Sequence, residues 1–137
     1  MINKKELMLG NVVNYTINHV EGGVTVKRGY VTSLINNKAI VGWNNIKYCN
    51  LSPIPLTREL LLECGFSNDD DNNKNLFLCL SGESEFIEYD ELDKKFYVLF
   101  ADGGDGGAIE TKVKYLHQLQ NLYYAITGCE LDVDSIK

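Results

Sequence analysis

No apolar run in this chain approaches the roughly 20 residues that a membrane-spanning helix needs, so no membrane segment is expected. The opening Met1-Ile-Asn-Lys-Lys-Glu-Leu-Met-Leu-Gly10 has no apolar stretch after its lysines, which sets aside a signal peptide and leaves the cytosol as the expected location. Histidine is nearly absent: only His19 and His117 occur, and neither lies near a cysteine in sequence. The four cysteines, Cys49, Cys64, Cys79 and Cys129, form no CxxC pair, so neither a zinc site nor any other metal site is expected. Their apolar neighbours predict free, buried thiols. There is no nucleophile elbow, and the glycine-rich stretch 101–107 lacks the lysine and the Ser/Thr of a phosphate loop. No cofactor is expected, and no enzymatic activity is read from these residues, although triads assemble in space and not in sequence.

Charge is present but unevenly placed. Residues 1–57 carry six bases against two acids, a net of +4. Residues 58–137 carry seven bases against seventeen acids, a net of −10, giving −6 for the whole chain. The acidic part repels a phosphate backbone; the basic part leaves nucleic-acid binding open for residues 1–57 alone. Its candidate contacts are Lys27, Arg28, Tyr30, Lys38, Trp43 and Lys47, cations for phosphates and aromatics for bases. Asp69–Asp71, Glu83, Glu85 and Glu88 would have to form one contiguous patch if the acidic part mimics a nucleic-acid backbone.

Periodicity divides the chain at Pro53 and Pro55. Residues 1–55 read as short strands rich in β-branched and aromatic residues, with turns at Glu21–Gly23 and Asn36-Asn37 and a break at Trp43–Asn45. Their spacing predicts a small antiparallel β-barrel of the SH3-like kind. Residues 56–137 read as a second subdomain sharing one core with the first. Thr57 is placed to cap a short helix, Arg58 to Cys64, with Gly65 and Phe66 ending it. Three strands follow at Leu76–Leu80, Glu85–Tyr89 and Lys95–Phe100, a meander. Asp69, Asp71 and Asn73 alternate as in a calcium loop, but Lys74 replaces the required glycine and Leu80 the bidentate glutamate. Asp102 and Asp105 in the glycine-rich loop could in principle meet a metal ion, but no metal site is read from them. The terminal stretch from Cys129 reads as an acidic tail that frays.

Residues 111–127 carry the clearest pattern. Tyr115, Leu116, Leu119, Leu122, Tyr123 and Ile126 fall on one face of a helix capped by Thr111 and closed by Gly128. Val113, His117, Gln120 and Tyr124 form a second stripe beside it. Two readings stand: the stripe widens the buried face, or it is an exposed seam that binds a protein partner. The fold class is thus α+β: barrel, short helix, three-stranded meander and long C-terminal helix.

Leu9-Gly-Asn-Val-Val13, the Ile54-Pro-Leu-Thr57 and Leu61-Leu-Glu-Cys-Gly-Phe66 blocks, and Tyr115 to Gly128 together resemble a family of short proteins of gut Bacteroidales and of their phages and mobile elements. The resemblance implies a bacterial host cytosol as setting and brings no activity, cofactor or substrate. With it, the expected function is a non-enzymatic, protein-binding accessory protein acting on a host or phage protein. The alternative is a nucleic-acid-associated module using the basic N-terminal barrel. Oligomeric state is not read from the sequence.

Overall fold

The computed structural model describes residues 2–68, 74–80, 85–100 and 106–136. The chain is α+β and separates into two compact units. The first holds residues up to Pro55 together with Tyr115–Asn121; the second holds Leu56–Lys114 and Leu122–Ile136.

In the first unit, β1 (Val12–Asn18), β2 (Val24–Ile35), β3 (Lys38–Val41), β4 (Asn44–Lys47) and β5 (Leu51–Ser52) form one antiparallel sheet in the order β4-β3-β2-β1-β5. Val13, Tyr15, Val31, Ala39, Val41 and Ile46 are buried on one side of it, joined by Ile2, Leu7 and Leu51 in a single cluster. Gly29 has no side chain because none would fit: a Cβ there would lie 2.8 Å from Val41 Cγ1 and 3.2 Å from a Tyr15 ring carbon. A bulge between Val31 and Ser33 shifts the β2–β3 register, which bends and twists a strand locally.

The sheet stays open among the described residues, with β4 and β5 as its edges, so the closed barrel expected from strand spacing does not form. The expected last strand is also divided. Tyr48–Asn50 make a 3-10 turn between β4 and β5. Asn36-Asn37 do form a two-residue turn, since Ile35 pairs with Lys38, but without positive φ. Lys94, at φ 56°, is the sole non-glycine in that region among the described residues.

In the second unit, α1 (Arg58–Glu63) begins where Thr57 Oγ1 accepts from Leu60 N–H at 3.2 Å. It ends in a Schellman motif: Gly65 N–H donates to Leu62 O and Phe66 N–H to Leu61 O, both at 3.1 Å, with Gly65 at φ +100°. The sheet here has four strands rather than three, β6 (Leu76–Cys79), β7 (Glu85–Asp90), β8 (Lys95–Phe100) and β9 (Gly107–Glu110), in chain order and antiparallel. The β7–β8 turn is set by Asp90, whose carboxylate accepts from the N–H groups of Leu92 and Asp93. Phe96 meets Phe66 edge-on, ring centres 6.5 Å apart, and lies 5.0 Å from Tyr89. The terminal stretch does not fray as expected. Leu131, Val133 and Ile136 are buried, the acids between them face water, and Asp134–Ile136 form a 3-10 turn.

The helix α2 (Leu116–Thr127) is shorter than expected and has a different start. Thr111 does not cap it; its hydroxyl and its N–H both donate to Phe96 O, at 2.9 Å each. Tyr115 instead bridges to Pro55, and Leu116 N–H donates to Ile54 O at 2.9 Å. The cap comes from inside the helix, where Gln118 Oε1 accepts from Tyr115 N–H at 3.2 Å. This is one half of a capping box, with glutamine at the third helical position. Gly128 (φ +72°) closes the helix.

Candidate binding surfaces

The expected seam on α2 does not exist as an exposed surface. His117 is 1% exposed and Gln120 9%, whereas Tyr124 is 47% exposed and Val113, before the helix, is half-buried. The two buried members have intramolecular partners in the first unit. Gln120 Oε1 accepts from Val12 N–H at 2.8 Å, and its Nε2 donates to Gly10 O at 3.1 Å. His117 Nε2 lies 3.2 Å from Glu6 Oε2, which also accepts from Gln118 Nε2 at 3.1 Å. Asn121 accepts from Asn11 Nδ2 at 2.9 Å and donates to Glu6 O.

One turn and a half of helix therefore clasps the segment Glu6–Val12 through neutral polar side chains. Irregular backbone has to spend its N–H and C=O groups somewhere, and here the helix takes them. A sequence signal for this was present: at 117, 118, 120 and 121 the polar positions are imidazole and amides, with no lysine or glutamate among them. A solvated helical face is usually charged, whereas burial without net charge favours amides.

The six cationic and aromatic candidates of the first unit are also divided. On β2, Arg28 and Tyr30 lie on the face opposite the cluster, paired with Asn14 and Val12, while Lys27 pairs with Tyr15 and shares its face. Lys38 stands directly across from Lys47, two like charges on neighbouring strands. Trp43 is 98% exposed in the β3–β4 turn, beside Tyr30, whose C=O accepts from Gly42 N–H at 2.9 Å. Lys38 also pairs with Ile35, seven residues along β2 from Arg28. At about 3.3 Å per residue that is roughly 20 Å, so these residues form a track and not a cluster.

That outer face of β1–β2 changes character along its length. Val12 is fully buried and Tyr30 half-buried, but farther along Val24 and Val26 are each 61% exposed. Both lie on the same face as Arg28, because their partners are Asn18 and Thr16.

The remaining candidates do not converge. Glu85 and Glu88 are three residues apart on β7 and so point to opposite faces. The contiguous acidic patch is thereby set aside for these two, while Asp69–Asp71 and Glu83 lie outside the described residues, as do Asn73, Asp102 and Asp105. Among the described residues no three of His, Cys, Asp and Glu come together as metal ligands, and no helix is long and apolar enough to cross a membrane. Contrary to expectation, only Cys64 is buried, and its thiol is pushed up to about 12, first by burial and then by Glu63 and Asp132. Cys49, Cys79 and Cys129 are exposed.

Compared with protein-family models, with curated proteins and with solved structures, the chain matches none.

Proposed function

We propose that this chain is a non-enzymatic, protein-binding accessory protein of phage or mobile-element origin, working in a bacterial cytosol, and that it binds through the outer face of its first sheet. The observation that carries the reading is Trp43, 98% exposed in the two-residue turn between Val41 and Asn44. Trp is the residue most enriched at the energetic centre of protein interfaces. Val24 and Val26 add exposed apolar area on the same unit, and Arg28, Lys38 and Lys47 supply a basic polar rim. An acidic protein surface is the partner of matching charge. We read the unit itself as an SH3-like, partly open barrel. In support, β1 lies between β2 and β5, β2 is bulged, and a 3-10 turn precedes the short last strand.

The test is affinity capture from nuclease-treated host and phage-infected lysate, followed by affinity measurement with the recovered protein. Trp43→Ala is expected to weaken binding about 30-fold, the scale of a 2 kcal/mol interface residue. Tyr124→Ala is expected to leave it unchanged. Equal binding by the Trp43 variant and the parent would reject this surface.

A second reading, nucleic-acid binding, is favoured by one specific observation. Lys38 and Lys47 face each other with no carboxylate in ion-pair range among the described residues. With about three phosphate contacts, single-stranded DNA would bind with a log–log salt slope of roughly −2. A flat salt response sets this reading aside.

A further inference from the structure

His117 combines three properties on one ring. It is shut off from water, its Nε2 lies 3.2 Å from a carboxylate oxygen of Glu6, and its Nδ1 is buried with no hydrogen-bond partner among the described residues. Among the described residues Glu6 is the one charged group that engages it there, from the 3-10 turn Lys4–Glu6; the Tyr115 ring stacks alongside at 6.0 Å. A carboxylate only accepts, so Nε2 carries the proton of the neutral ring and Nδ1 is left as a bare lone pair. A second proton on Nδ1 would create a buried donor facing no acceptor, on a charged ring without water. The closed clasp therefore accommodates the neutral ring and not the charged one.

We propose that the clasp is a proton-operated latch: uptake of a proton at His117 Nδ1 frees the segment Glu6–Val12 from α2. Burial holds the His117 ring below the ordinary 6.5, with Glu6 offsetting only part of that. Once the segment is released, the exposed ring on α2 titrates near its ordinary value. The open form thus binds more protons between the two values. Closure is fully favoured above pH 6.5 and loses ground as pH falls from there toward the lower, closed-state value. Within that window the closed-to-open ratio falls by up to about tenfold per pH unit, the limit for one proton.

Hydrogen–deuterium exchange on the full chain, corrected for intrinsic rates, reads this directly. The Val12 amide, held by Gln120, and the Met8 amide, held by Asn11 Oδ1 at 2.8 Å, are expected to lose protection between pH 7.5 and 5.5, by up to about tenfold. The Cys64 amide, held inside α1 by Leu60 O, is expected to keep its protection. Glu6→Gln retains hydrogen-bonding groups without charge and is expected to keep the onset near 6.5 while extending the loss to lower pH; abolishing the loss would assign the titration to Glu6 and overturn the proposal. His117→Phe is expected to remove the pH dependence. Should that variant fail to fold, the parent chain decides: the His117 Cε1–H resonance is expected to titrate below 6.5. A midpoint at or above 6.5, or a uniform loss of protection over all amides, overturns the latch.

Discussion

Leu61→Ala is expected to cost about 2–5 kcal/mol, the range for truncating a fully buried leucine. Leu61 is 0% exposed on a helix of only six residues, too short to hold itself in water without packing. Its carbonyl also receives the Phe66 N–H that closes the helix, so a cavity under this residue loosens the helix end as well. Domains of this size are stable by about 5–15 kcal/mol, making this a large fraction of the total. In urea the midpoint should fall by roughly 0.7–5 M, for slopes of about 1–3 kcal/mol per molar. The neighbouring Leu62, exposed on the same helix, provides the control: its replacement by Ala should cost under about 1 kcal/mol. Similar losses for the two variants would show that this helix is not seated as described.

Gln120→Ala should be the second most damaging change, for a different reason. It strands two backbone groups at once, the buried Val12 N–H and the part-buried Gly10 C=O. An orphaned buried group costs about 1–3 kcal/mol, so a total of roughly 2–4 kcal/mol is expected. The thermal midpoint would fall by about 5–15 °C at some 2–4 °C per kcal/mol. Gln120→Glu keeps the acceptor for Val12 but turns a carboxylate oxygen toward the Gly10 carbonyl, and should be at least as destabilising at pH 7. Tyr124→Ala, on the exposed side of the same helix, should change the midpoint little. A Gln120 variant as stable as the Tyr124 variant would refute the clasp.

The contrast between those two residues marks how far the sequence could be read. Spacing alone put His117, Gln120 and Tyr124 on one stripe, and it could not say which end was covered, because cover comes from residues more than a hundred positions away. Local signals did better. Thr57, Gly65 and Phe66 announce both ends of α1 because capping is chemistry within a few residues. The strands β6, β7 and β8 were legible as short runs rich in apolar and aromatic residues between polar turns, while β9, four exposed residues beginning at a glycine, carries almost no pattern of its own and is ordered by pairing with β8. Thr111 misled for the converse reason: a good capping residue was taken by a carbonyl of β8 first. The burial of Leu131, Val133 and Ile136 could have been anticipated, since apolar residues at those intervals among acids are themselves a half-buried pattern. Among the basic residues, sequence could name candidates but not their placement, and the register of the sheet spreads them along its length and over both faces.

The unequal placement of the four cysteines supplies a built-in clock. Cys49, Cys79 and Cys129 stand in solvent and are open to a thiol reagent from the start. Cys64 is closed off at the end of α1, with its thiolate disfavoured until about pH 12, so alkylation there has to wait for the helix to come away. Mass counting after a brief pulse of reagent would then show three modifications on intact molecules and four on molecules that have opened. With reagent fast enough to outpace reclosing, the interval between the third and the fourth is the lifetime of the second unit's core.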